Sequence, residues 1–468
     1  MFLCAIPVVG KGEVALFAGN EEVGFRNGER LHSQFCFPYG IAIKNGYIIL
    51  TDSYNNLIRQ IDDINVSTIA GGSKITDAYG FSLGGYVDDE GKKARFNKPR
   101  GIAIDSRGNI YVADTKNHVI RKIVGEKVFT FAGTGEVGYA NGKALVAKFN
   151  QPTGITIDND DNLYITDTMN NVIRKITPQG DVTTYAGEYS LEGGFKDGPV
   201  NLAKFNEPTG IVWDAEMDII VVDSGNQRIR RIFDDKVVTL AGTGNKIIEG
   251  TNYIEGGNKD GSSAEARFNF PKGIAIGDNG TIFVADTWNH SIRAITKEGL
   301  VITLAGTGYP GRNINTPEST QFNGPVDIIF HENKLYISDM WNNRILTMEV
   351  DEENLKAIRP LGKDDEIVVL FNENKIEFPD TQAYIEKGRT MVPLRFIVEA
   401  MGGKIYWNEQ NGQVTINSLN GKEKFLVEPS SIVVKKNRTM VHIRYLVENL
   451  GCSVKWLPEL NTVLIKES

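Results

Sequence analysis

Short apolar runs separated by turn residues set the rhythm of the first three quarters of the chain. Within residues 99–132 the runs are Gly101–Asp105, Asn109–Ala113, Val119–Val124 and Lys127–Ala132, each bounded by Gly, Asn, Asp or Pro. Runs of this length, rich in β-branched residues and lacking a helical period, predict strands. The string FNKPRGIAIDSRGNIYVADTKNHVIRKI at 96–123 returns almost unchanged at 149–176 and 268–295. Looser copies begin at Phe35, Phe205 and Phe322, so successive copies lie 61, 53, 56, 63 and 54 residues apart.

Four short strands repeated six times describe the blades of a β-propeller, because one such sheet cannot cover both its faces and a closed ring of them can. The fourth strand of a unit carries a V-x-T-x-A-G pattern, as at Val66–Gly71 and Val128–Gly133. The sixth unit ends at 344–348 without it, while an orphan copy stands at Val14–Gly19. The N-terminal strand is therefore expected to complete the sixth blade. The fold class is mainly β: a six-bladed propeller with N-terminal strand closure over 13–350, preceded by a lead segment 1–12. A charged linker, 351–365, and a small α+β domain of two tandem repeats, 366–468, follow.

Internal repetition separates scaffold from recognition. The acid ending the second strand is Asp52, Asp114, Asp167, Asp223, Asp286 and Asp339, followed three residues later by Asn55, Asn117, Asn170, Asn226, Asn289 and Asn342. An arginine follows in the third strand: Arg59, Arg121, Arg174, Arg230, Arg293 and, slightly displaced, Arg344. A catalytic group is needed once, not six times. The Asp and Asn are expected to cap the tight turn through its backbone, and the Arg to pair with a carboxylate of the same or the next blade.

These residues carry a signature. The pattern F-N-x-P-x-G-I-A-I-D…G-N-I-Y-V-A-D-T-x-N-H-x-I-R-K-I resembles the NHL-repeat family over about residues 13–350, best in the second, third and fifth units. The resemblance implies a six-bladed propeller and leaves the activity open, since such rings host binding proteins as well as lyases and hydrolases. The sixth unit departs from it at Asp327, where the other units have Gly.

A different repeat occupies the C-terminal quarter: IEKGRTMVPLRFIVEAMG at 385–402 returns as VKKNRTMVHIRYLVENLG at 434–451. Leu394, Ile397, Val398 and Met401, and likewise Ile443, Leu446, Val447 and Leu450, fall on one face of a helix in each copy, ended by Gly402 and Gly451. Arg395 and Arg444 are expected to satisfy backbone carbonyls or to pair with Glu399 and Glu448 one turn on, rather than to bind a ligand. This pair of units resembles the copper-amine-oxidase N-terminal-like, or stalk, domain over about 366–468. In bacteria that module resembles those appended to secreted or cell-surface proteins, which implies an extracellular or cell-surface setting. The name does not carry copper chemistry here, because His442 is the one histidine of the region.

Composition narrows the function classes. With 51 Lys and Arg against 59 Asp and Glu the net charge is −8, and no long basic run occurs, which argues against nucleic acid as the partner. Cys4, Cys36 and Cys452 form neither a disulfide framework nor a zinc set. No apolar run reaches a membrane span. The opening MFLCAIPVVG reads either as the stump of a secretory signal or as a leading strand. No cofactor, metal site or catalytic constellation such as GxSxG, HExxH or a P-loop is found.

The variable residue of each second turn is Tyr54, Lys116, Met169, Gly225, Trp288 or Trp341. Trp288, Trp341 and Tyr54 belong to blades five, six and one, neighbours in a closed ring, and suggest a platform for a sugar ring or a peptide. Tyr54, Lys116, Met169, Trp288 and Trp341 are the candidate ligand-binding residues. The expected function is that of a monomeric, non-enzymatic binding or scaffold protein of the bacterial envelope, recognising a protein, peptide or cell-wall glycan. The alternative is a propeller lyase or lactone hydrolase working at the central opening with His118, His290 or loop carboxylates.

Overall fold

The computed structural model describes residues 11–72, 75–78, 80–352, 355, 367–372, 374–379, 382–386, 389–408, 413–417, 424–428, 431–435, 438–457 and 462–467. Cys4 and most of the charged linker lie outside them. The chain divides into two compact units, Met1–Ile358 and Arg359–Ser468.

The first unit is a closed ring of six antiparallel sheets. In blade two the strands run outward from the axis as Pro99–Ile104, Ile110–Asp114, Val119–Val124 and Lys127–Ala132. Each inner strand touches the inner strand of the next blade, and that of blade six, Pro325–His331, touches Pro38–Lys44 of blade one. The first residue of every repeat, Phe35, Phe96, Phe149, Phe205, Phe268 and Phe322, is fully buried. Each such ring anchors a blade junction and contributes about 2–3 kcal/mol by leaving water. At the axis the blades approach more closely than a side chain allows: a Cβ on Gly101 would sit 2.2 Å from the carbonyl oxygen of Thr153 in the next blade. Glycine is required there by proximity.

Four strands per unit is an undercount. Blades one to five carry a fifth, outermost strand of two residues, such as Asp89–Glu90 beside Lys127–Ala132, drawn from the segment that enters the blade. Two residues are too few to show alternation in sequence, and the pairing covers an otherwise open edge.

Closure follows expectation. Lys11–Ala18 pairs antiparallel with Arg344–Val350, with Val14 opposite Met348 and Leu16 opposite Leu346. Glu21, just beyond this strand, reaches Arg344 at 2.5 Å, and Phe17 packs edge-on against Tyr336 at 5.1 Å. The ring is thus tied between its ends by backbone pairing, an ion pair and apolar burial.

In the second unit the copies interlock. Arg389–Pro393 of the first pairs with Arg438–His442 of the second, and Val368–Phe371 runs parallel to Thr462–Glu467. The helices Leu394–Ala400 and Ile443–Asn449 bury Leu394, Ile397, Val398, Ile443, Leu446 and Val447 in one shared core. Gly402 and Gly451 follow with φ of 74° and 76°. Arg395 lies 3.6 Å from Glu399 and Arg444 3.9 Å from Glu448, all four exposed. No helix among the described residues is long and apolar enough to cross a membrane. Cys36 and Cys452 are buried.

Removing residues 1–19 is expected to lower the stability of the ring by several kcal/mol, through lost pairing and burial. Thermal denaturation followed by near-UV circular dichroism checks this; an unmoved transition would dismiss the closing strand.

Candidate functional site

The repeated acid and base are structural. In each blade the Asp and Arg form a fully buried ion pair, from 2.5 Å for Asp223–Arg230 to 2.8 Å for Asp167–Arg174. The Asp does not cap its own turn as expected. One carboxylate oxygen of Asp114 instead accepts the amide of Asn97, at the entry of the blade, at 2.7 Å, and the other accepts from Asn117 and Arg121. Asn117 also donates to the carbonyl of Gly85 in the long connection. The triplet therefore fastens three separate segments to one face. Burial lifts Asp114 and Asp167 to about 6, against the pull of their arginines and amide donors.

The residue after each Asn adopts the left-handed conformation and reaches the next blade. Asn56 accepts the amide of Lys98, Asn171 that of Glu207, Gln227 that of Phe270, and Asn343 closes the circle on Phe37. His118 and His290 stand at the same position, and their Nδ1 atoms accept the amides of Gln151 and Gly324 at 3.0 and 3.1 Å. An accepting Nδ1 is unprotonated, and burial holds both imidazoles below the ordinary histidine value. The two histidines thus do what Asn and Gln do in the other blades.

On this pinned face two rings of side chains surround the axial opening. The outer ring is the turn tips, whose amides bond to the entry of their own blade, as Trp288 N–H does to the Asn269 carbonyl at 3.0 Å. The inner ring is the x of F-N-x-P: Phe37, Lys98, Gln151, Glu207, Phe270 and Gly324. All six have positive φ, 50° at Phe37 and 44° at Phe270, although five carry a side chain. The motif places these residues beside the tips. Their variability was the available signal, and sequence reasoning passed over it by attending to the second turn alone.

Trp288, which is 54% exposed, lies 6.5 Å from Trp341 and 5.6 Å from Phe270, and Phe270 lies 5.2 Å from Tyr253. The Trp341 ring covers Gly324 so closely that a Cβ there would meet it at 2.7 Å. Tyr54 makes its ring contacts in a second group, with Phe37 at 4.6 Å and Phe81 at 5.8 Å. Lys98 stands over the Tyr54 ring at 4.2 Å. Lys116 is exposed and donates to Gln151 at 2.9 Å, while Met169 is half-buried.

Inside the mouth, a cavity of about 320 Å³ runs along the axis between the inner strands of all six blades. Asp327 projects where the other blades have Gly, and its carboxylate accepts the amide of Ile41 in blade one at 3.0 Å. Burial without a cation in hydrogen-bond range pushes it up to about 7.

Comparisons with known proteins agree with this architecture. The NHL repeat model matches residues 96–123, 149–176 and 268–295, and the Copper amine oxidase N-terminal domain model matches 370–428 and 418–468. The chain therefore carries NHL repeats in its propeller, followed by a copper amine oxidase N-terminal domain match. NHL repeat-containing protein 2 of Homo sapiens is 29% identical over 344 residues, 64% of this chain and 44% of that protein. Protein SUPPRESSOR OF QUENCHING 1, chloroplastic, of Arabidopsis thaliana is 28% identical over 304 residues, 61% of this chain and 27% of that protein. The chain thus spans less than half the length of these curated relatives. A solved auxiliary nutrient binding protein from Bacteroides thetaiotaomicron superposes with a TM-score of 0.54 at 16% identity, over 73% of this chain and 77% of its own.

Asp327 makes stability pH-dependent. A carboxyl group held above its ordinary 3.8 favours the protonated form in the fold, so its contribution is complete below that value and is lost as the pH climbs through about 7. Asp327→Asn retains an acceptor for the Ile41 amide and removes the charge. It is expected to raise the melting temperature at about pH 8 and flatten the profile down to about pH 4; parallel profiles for the two proteins would refute this.

Proposed function

We propose that this chain is a non-enzymatic binding protein of the bacterial envelope that takes a glycan or peptide partner on the loop-rich face of its propeller, acting outside the cell or at its surface. The observation that carries the reading is the run of aromatic rings Tyr253, Phe270, Trp288 and Trp341, with Trp288 more than half exposed on a face pinned by buried ion pairs. Flat rings held by rigid backbone suit stacking against a sugar or an aromatic side chain, and little entropy is lost on binding. Two comparisons support a binding role. The similar Bacteroides structure is described as a nutrient binding protein, and the C-terminal unit resembles modules appended to surface proteins.

Replacing Trp288 and Trp341 together with Ala is expected to abolish retention of any hit from a glycan and peptide array, while the melting temperature changes little because neither ring lies in a blade core. Retention equal to that of the wild type would dismiss the aromatic surface.

A further inference from the structure

The residue after the proline of each repeat stands at the entry of the inner strand: Tyr39, Arg100, Thr153, Thr209, Lys272 and Val326, all but Arg100 lining the axial cavity. Arg100 and Lys272 belong to blades two and five, which face each other across the ring. Burial first, and Arg100 second, drive the Lys272 ammonium down to about 8, and the same two causes depress Lys116. Lys272 is half-buried and lines the axial cavity.

The repeated arginine of each blade, fully buried, has a carboxylate: Arg59, Arg121, Arg174, Arg230, Arg293 and Arg344 each pair with an Asp, whereas Arg228 is buried on backbone carbonyls and Arg100 and Lys272 are half-buried. Among the described residues, no hydrogen bond or ion pair reaches the side chains of Arg100 and Lys272; Arg100 only lies 5.2 Å over the ring of Tyr39. The Tyr39 hydroxyl lines the same cavity, is buried and lacks a hydrogen-bond partner. Two carboxylates stand near. Glu207 is engaged at 2.6 Å by the Tyr253 hydroxyl, and Asp327 by the amide of Ile41. Neither neutralises the pair by contact. Lys272 and the orphan hydroxyl on the cavity wall, with Arg100 beside the Tyr39 ring, form a site complementary to an anion.

We infer that the channel mouth between Arg100, Lys272 and the Tyr39 hydroxyl binds an oxyanion, the carboxylate or phosphate of a small organic ligand whose ring lies on the Trp288–Trp341 arc. The oxyanion half stands on the cation pair alone; the ring half rests on the binding reading above. The bound anion favours the protonated ammonium, so binding near pH 8 takes up a proton at Lys272 Nζ from the buffer.

Calorimetric titration of the full chain with inorganic phosphate, benzoate and phenyl phosphate at about pH 8, in two buffers of different ionisation enthalpy, tests it. Phosphate or benzoate is expected to bind with buffer-dependent heat. The pair Arg100→Gln, Lys272→Met should weaken binding about tenfold or more, since two charge-assisted bonds are lost. Lys272→Met alone should erase the buffer dependence. Both variants should melt no lower than the wild type, because unopposed like charges have been removed. Phenyl phosphate should bind more tightly than phosphate, an advantage lost in Trp288→Ala while phosphate affinity is kept. The oxyanion site is overturned if none of the three anions binds the wild type, or if the double variant binds undiminished. A phenyl phosphate affinity no better than that of phosphate would overturn the ring half and leave the anion half standing.

Discussion

The buried Asp–Arg pair, repeated once per blade, is the interaction on which the rest of the ring's upper face depends. Fully buried, it costs desolvation of two charges, and it is offset only because each partner makes further bonds. Asp114 holds the blade entry through the amide of Asn97, while Arg121 also holds Asp88 of the preceding connection at 2.6 Å. A hydrophobic pair of the same volume would fill the space without gripping those backbone groups. The connections here are long, and an ungripped loop presents no defined surface. The ion pairs, more than the apolar core, therefore set the geometry of the face that carries Trp288, Phe270 and Lys116.

Much of this was legible in the sequence because it recurs. Phe35 and its five equivalents, the Asp–Asn–Arg spacing and the orphan strand at Val14–Gly19 are features of a repeat, and one chain holding six copies is its own comparison. What stayed hidden has physical causes. The two-residue outer strands have no alternation to read. The carboxylate of Asp114 bonds to a residue seventeen positions earlier, and a turn-capping argument looks only to nearby backbone. The register of His118 and His290 with Asn56 and Gln227 already favoured a structural role; what the sequence did not show is that each accepts an amide of the following blade. Arg100 and Lys272 are 172 residues apart in the chain, and their placing at equivalent positions around one axis follows from closure of the ring.

The second unit shows the same logic on a smaller scale. Each copy on its own supplies one helix face and a few strands, too little to bury a core. The two copies exchange strands, Val368–Phe371 joining Thr462–Glu467, and both helices then share one interior. The periodicity of Leu394 through Met401 announced the helices; the exchange left no mark in either copy, because strand pairing between copies is a property of the pair.

The left-handed backbone of the inner ring has a further consequence. A branched or aromatic residue at φ near 50° carries a strain on the order of 1–3 kcal/mol that glycine avoids. Blade six takes the relaxed choice at Gly324, and the Trp341 ring settles into the space this leaves. Blades one and five keep phenylalanine in the same conformation. The rim is thus a place where backbone strain is accepted to hold an aromatic side chain, and where the residue can differ from blade to blade while the frame beneath stays fixed.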